Sequence, residues 1–267
     1  MRDEPARNGR STHSGHKSFA QLTPNLQMEE PDKTVYLKGG MSTKTVLKIG
    51  PNVHRTKASN YPFIHSVLLH LATFDFPFSP RFLGIDDEGR EVLSFIPGEV
   101  PREIPLTLPQ KVEAIKVLRM LHDVLSSFEN KGEYETICHH DVAPWNVIVN
   151  NKKIVGIIDF DEAAPGNRID DVAYFIWTFL ELGNSLVPDN DQIAGIAALA
   201  DAYGLAGKEH LVPAIIHQQT RIREFRTHIT LQGTNAELVE FSQKALIQIN
   251  KSIDWVHSNR SRIEQAL

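Results

Sequence analysis

The chain has 267 residues, of which 41% are hydrophobic and 23% charged. That is the composition of a soluble globular protein with material for a sizeable core. Lysine and arginine total 28 against 33 acidic residues, a net charge of −5, which argues against a primarily nucleic-acid-binding role. A single cysteine, Cys138, excludes an internal disulfide framework and suits a reducing compartment. No apolar run approaches the roughly 18 residues of a membrane span, and the N-terminus has no apolar signal core. A cytoplasmic protein with neither membrane nor nucleic acid as partner is expected.

Residues 1–30 are polar, mixed in charge and without hydrophobic periodicity. They are expected to form a disordered tail, with His13 and His16 solvated rather than metal-bound. From residue 34 the pattern becomes strand-like. TVYLKGG reads as a strand entering a Gly-Gly turn, TKTVLKI as a second strand, and NVHRT as a third after Gly50-Pro51-Asn52. Tyr61-Pro62 opens a helix, with Val67, Leu68, Leu71 and Phe74 at helical spacing. RFLGIDDEGREVLSFI reads as a hairpin, and Pro97, Pro101 and Pro105 cluster around Gly98 as a linker between lobes.

From Pro109 the period is helical through Phe128, with Lys131-Gly132 as the stop. Two short apolar runs, 146–149 and 154–160, then form one hairpin. Beyond Asp170 the chain is helical to its end, broken at Gly183, Pro188, Gly204, Gly207 and Gly233. The order predicts an α+β protein of two lobes. The first is a small β-rich N-lobe over 31–97. The second is a larger, mostly helical C-lobe over 98–267.

The chemistry-bearing stretch is CHHDVAPWNVIVNNKKIVGIIDFDEA, residues 138–163. Asp141 opens a loop, Asn146 starts a strand five residues later, and Asp159 ends the next strand. A short turn between those strands brings Asn146 and Asp159 to one end, beside the loop of Asp141. Oxygen ligands at that density suit Mg²⁺, and a free carboxylate beside them can orient a hydroxyl and accept its proton. Cys138-His139-His140 does not suit zinc, because adjacent ligands wrap a tetrahedral ion poorly and no second cluster completes the set.

His139-His140-Asp141 through Asn146 follows the H-x-D-x-x-x-x-N spacing of protein kinases, and IIDFD stands where they carry D-F-G. With the following PGNRIDDVAYFIW, the chain closely resembles the aminoglycoside phosphotransferase family over residues 34–245, most specifically over 139–177. VAPWNV with EAAPG looks like a bacterial, trifolitoxin-immunity-like subgroup of the same fold. The resemblance implies a two-lobed kinase-like fold with ATP or GTP between the lobes, Mg²⁺, and a small-molecule hydroxyl as acceptor. It implies Asp141 as catalytic base, Asn146 and Asp159 as metal ligands, and Asp171 as the carboxylate that fixes the catalytic loop. His139 would support that loop, and Asp161 would stand behind the metal ligands or near the acceptor.

No P-loop motif is present. Gly39-Gly40-Met41-Ser42 stands where the family covers the phosphates. The phosphate-binding cation is Arg55 or, by another strand count, Lys48. The helix that should supply its acidic partner offers His65 and His70 and no Glu, so Arg55 is expected to act without a helix carboxylate. The backbone around Ser94-Phe95-Ile96 is placed to meet adenine. Asp161, Glu162, Glu181 and Asp189 are candidates for an acidic acceptor wall. Arg221, Arg223, Arg226 and His228 form either a solvated helix face or a contact with an anionic partner or with the acidic lobe. A non-catalytic binding or immunity protein on the same shell is the competing function.

Overall fold

The computed structural model describes residues 34–37, 46–101 and 105–267. The expected tail, with His13 and His16, and the Gly39–Ser42 turn lie outside the described residues.

Five short strands form the first sheet: β1 (Thr34–Leu37), β2 (Val46–Ile49), β3 (Asn52–Arg55), β4 (Phe82–Ile85) and β5 (Glu91–Ser94). Their order is β1-β2-β3-β5-β4, antiparallel throughout. The β3–β5 register sets Arg55 opposite Glu91, so these two long side chains leave the sheet on one face. Helix α1 (Tyr61–Thr73) crosses from β3 to β4 and buries Ile64, Val67, Leu68 and Leu71, as their spacing requires. Phe74, expected on that face, caps the helix and is exposed.

The second lobe is helical. Helix α2 (Leu108–Leu125) stops before Lys131-Gly132, the end expected from sequence. Ser126 and Ser127 turn their hydroxyls back onto the carbonyls of Asp123 and Val124, and a 3₁₀ turn (Glu129–Lys131) follows. The hairpin forms from β7 (Val147–Asn150) and β8 (Lys153–Ile157). A second strand pair, absent from the sequence expectation, joins β6 (Thr136–Cys138) to β9 (Ala164–Gly166). Four helices complete the lobe: α3 (Arg168–Leu180), α4 (Asp189–Tyr203), α5 (Leu211–Gln232) and α6 (Ala236–Ala266). The breaks at Gly183, Pro188, Gly204, Gly207 and Gly233 all fall between these helices or at their ends. Leu118 and Leu121 of α2 bury with Phe175 and Ile176 of α3, Leu199 of α4, Ile215 of α5 and Val256 of α6 in one core.

The linker is tied to the hairpin. Glu99 and Val149 exchange two backbone hydrogen bonds at 2.8 Å. Gly98 has φ +150°, and a Cβ there would lie 2.6 Å from both Ile148 Cγ2 and the Val149 carbonyl oxygen. Only glycine fits that approach. Among the described residues, no helix is long and apolar enough to cross a membrane.

Candidate active site

The loop between β6 and β7 is held from beneath by Asp171, fully buried in the first turn of α3. Its carboxylate accepts the backbone N–H groups of His139 and His140, each at 2.7 Å, and Nε2 of His122 at 2.9 Å. His122 Nδ1 meets the Tyr203 hydroxyl at 2.7 Å. Burial alone would raise the Asp171 pKa; the His122 hydrogen bond and the nearby histidines outweigh it and hold Asp171 well below the usual carboxylate range. These bonds keep His140 at φ +63°, a left-handed conformation uncommon for a non-glycine residue. The buried Cys138 thiol donates to the Asn167 carbonyl at 3.2 Å.

The strained turn presents Asp141. Its Oδ1 accepts the Tyr174 hydroxyl and its Oδ2 accepts Nδ2 of Asn146, both at 2.7 Å. Burial raises the Asp141 pKa, and the two donors partly offset that rise. Burial first, and then Asp141, push the Tyr174 phenol well above its ordinary value, so it stays a donor. His139 is buried, and burial lowers its pKa towards the neutral form. Its Nδ1 accepts the Asp141 N–H at 3.3 Å, and its Nε2 meets the Ile158 carbonyl at 3.1 Å. It thereby joins the Asp141 turn to the residue before Asp159.

Asn146 closes a 3₁₀ turn (Pro144–Asn146), and its carbonyl accepts the Ile158 N–H at 2.9 Å. Asp159 lies two residues beyond β8, at φ +66°, a conformation Asp tolerates better than most residues. The structure thus brings Asp141, Asn146 and Asp159 to one end of the hairpin. With Nδ2 of Asn146 committed to Asp141, its Oδ1 carries no hydrogen bond among the described residues. An amide oxygen beside a carboxylate is a donor set for a hard cation such as Mg²⁺.

Arg55 reaches this end from β3 with three of its nitrogens. Nε donates to Glu91 Oε1 at 2.6 Å, one terminal nitrogen to Asp159 Oδ1 at 2.9 Å, and the other to Asp161 Oδ1. The other Glu91 oxygen meets His65 Nε2 at 2.8 Å, and His65 stacks on Phe82 with ring centroids 3.7 Å apart. Helix α1 gives Arg55 no carboxylate, yet Arg55 is not without an acid. The acid is on β5, and the α1 histidine braces it. Asp161, crowded by Asp159 and Glu91, is pushed up to about 6 mainly by burial, despite Arg55.

Lys48 lies on β2 opposite Val53, with Nζ 4.8 Å from the Phe95 ring centre. The Ser94 N–H donates to the Arg81 carbonyl, and its hydroxyl accepts the Arg81 N–H. The Phe95 N–H donates to the Pro51 carbonyl. At this connection, Ile96 keeps an N–H with no protein acceptor among the described residues. Sequence reasoning missed Glu91, Tyr174 and His122. For Glu91 the available signal was its position opposite Arg55 once the strands are paired. For Tyr174 it was its place one helical turn beyond Asp170 and Asp171.

Residues 116–213 match the model of the phosphotransferase enzyme family, APH. The trifolitoxin immunity protein of Rhizobium leguminosarum bv. trifolii is 26% identical over 262 aligned positions, covering 87% of this chain and 98% of that protein. Among solved structures, an aminoglycoside phosphotransferase from Alicyclobacillus acidocaldarius superposes with a TM-score of 0.59 at 15% identity, over 94% of this chain and 99% of that one. An aminoglycoside phosphotransferase solved with GDP and kanamycin gives 0.58 at 12% identity, over 84% and 95%. The ethanolamine kinase of Plasmodium vivax gives 0.58 at 12% identity, over 81% and 82%. The fold is kinase-like, and the resemblance to the aminoglycoside phosphotransferase family and its trifolitoxin-immunity subgroup holds.

Proposed function

We propose that the protein is a cytoplasmic phosphotransferase that moves the γ-phosphoryl group of ATP or GTP to a hydroxyl of a small molecule. The observation that carries this reading is the convergence of Asp141, Asn146 and Asp159 on one end of a hairpin, with Asp141 held by two donors. A binding protein without chemistry has no need of a half-buried carboxylate kept beside a cation-binding pair. Asp141 orients the acceptor hydroxyl and takes its proton as the oxygen bonds to phosphorus and the nucleoside diphosphate leaves. Asn146 and Asp159 would hold Mg²⁺, which supplies charge neutralisation on the phosphates when bound. Arg55 is placed to exchange its Asp159 and Asp161 contacts for phosphate oxygens while Glu91 and His65 keep it in position. The nucleotide lies between an N-lobe of residues 31–97 and a C-lobe of 98–267, with the Ile96 N–H at its base.

The test is Mg²⁺-dependent nucleotide binding and hydrolysis by the purified chain, with Asp141→Ala alongside. Binding that needs Mg²⁺, with hydrolysis lost in the variant, supports transfer. Hydrolysis equal in both sinks it. One observation favours a second reading, a non-catalytic immunity protein. The trifolitoxin immunity protein aligns over most of both chains. That reading requires nucleotide binding without turnover, or neither.

A further inference from the structure

Helix α5 packs along α3, the helix whose Tyr174 holds Asp141, and it carries a run of arginines. Arg226 is half-buried. Its guanidinium lies 5.0 Å from the ring centre of Phe241 and 5.4 Å from that of Phe225. Among the described residues, no carboxylate lies within ion-pair distance of Arg221, Arg223 or Arg226; Arg221 donates to Gln218 Oε1 at 3.0 Å. Asp141 is the carboxylate whose charge bears on Arg226, and the arginines Arg221 and Arg226 both face the Tyr174 phenol that holds it. A guanidinium keeps its charge, and one that loses water without gaining a carboxylate is left with unmet donors.

Three of the four acids expected to form the acceptor wall are held by other groups. Asp161 is bonded to Arg55 and Glu181 to Asn184. Asp189 accepts the Trp255 indole N–H at 2.7 Å. Glu162 lines a small cavity with Lys57 and Asn60. A polycation brought to Asp141 would meet arginine, without the carboxylate wall that would receive it.

Resting on the phosphotransferase reading, we propose that the acceptor is a small hydroxylated anion, bearing a carboxylate or a phosphate, whose charge is met by Arg226 and Arg221 while its hydroxyl faces Asp141. Arg226 offers a planar fork that matches either oxyanion, and the two phenyl rings hold that fork without neutralising it.

The experiment is calorimetric titration of the full chain at constant ionic strength with four probes: glycerate, glycerol 3-phosphate, glycerol and 2-aminoethanol. At least one of the two anions should bind saturably, tenfold or more tighter than 2-aminoethanol, and the tighter anion identifies the carboxylate or the phosphate. Arg226→Ala should weaken that anion by about 10- to 100-fold, the range expected for a charged hydrogen-bond partner. Arg226→Met keeps the apolar stem against Phe241 and should lose as much, so the loss is not one of folding; Arg226→Lys should recover part of it. The proposal falls if neither anion saturates at millimolar concentration, if 2-aminoethanol binds as tightly, or if Arg226→Met binds anions like wild type. Mg²⁺–ATP titrated into the same preparation separates the two claims. Nucleotide binding without anion binding overturns the acceptor class alone, and anion binding without nucleotide binding overturns the transferase.

Discussion

Tyr174 donates its hydroxyl to Oδ1 of Asp141 at 2.7 Å, across 33 residues of chain. The bond fixes one carboxylate oxygen while Asn146 fixes the other. It also opposes the rise in the Asp141 pKa that burial causes.

Asp141→Ala should lower transfer by about 10²–10⁴-fold, the usual contribution of general-base assistance, with nucleotide affinity close to wild type. Tyr174→Phe should be milder and show itself in pH dependence. Without the phenol the carboxylate ionises at higher pH, so the acid limb of the rate profile moves up. A profile that stays in place in Tyr174→Phe removes the phenol from the mechanism.

Asp159→Asn should abolish the Mg²⁺ dependence of nucleotide affinity, because the carboxylate ligand is gone while the amide of Asn146 stays. The check is a series of nucleotide titrations at rising Mg²⁺. Wild-type dependence in the variant would move the cation away from this hairpin.

Arg55→Ala leaves Glu91 buried with only His65 beside it. Removing one partner of a buried pair costs about 3–5 kcal/mol. Arg55→Ala/Glu91→Ala should therefore lose clearly less than the sum of the single changes. Denaturant unfolding of the four proteins gives the coupling, and strict additivity would show that the pair contributes nothing. Arg55→Ala should also weaken ATP, with Lys48→Ala closer to wild type.

Asp161 titrates at about 6 in the folded chain, above the ordinary carboxylate value of 3.8. The folded state therefore binds the extra proton between those values, and the group's contribution to stability is lost as pH rises through about 6. Asp161→Asn cannot ionise. Its melting temperature relative to wild type should climb from pH 4 to pH 7 and level off above. A difference that is flat, or that falls, contradicts the raised value.

Gly98→Ala should destabilise the fold by about 1–3 kcal/mol, from a left-handed φ and a methyl driven into Ile148 and Val149. Thermal melts of the two proteins decide it, and an unchanged melting temperature would mean the linker can leave the hairpin freely.

The helical lobe was readable because each break carries a local signal: glycine or proline between apolar runs of period 3.6. The convergence of Asp141, Asn146 and Asp159 was readable because a short hairpin fixes their separation, whereas Asp171 entered only through the family resemblance of DDVA. The β6–β9 pair was not, since Ala164-Pro165-Gly166 has no strand composition and is extended only because Thr136–Cys138 lies beside it. Glu91 was missed for a different reason: its partner is 36 residues away and is chosen by strand register, which no local pattern specifies.

Among the described residues, two backbone attachments join the β7–β8 hairpin to the chain around it: the Ile157 N–H on the Phe78 carbonyl at 2.7 Å, and the reciprocal Glu99–Val149 pair. The attachment of β3 to the IIDFD turn is of another kind, made by the guanidinium of Arg55 on Asp159 and Asp161. The hairpin is therefore held on one side by main chain, which no side-chain substitution removes, and on the other by charge, which the single change Arg55→Ala removes.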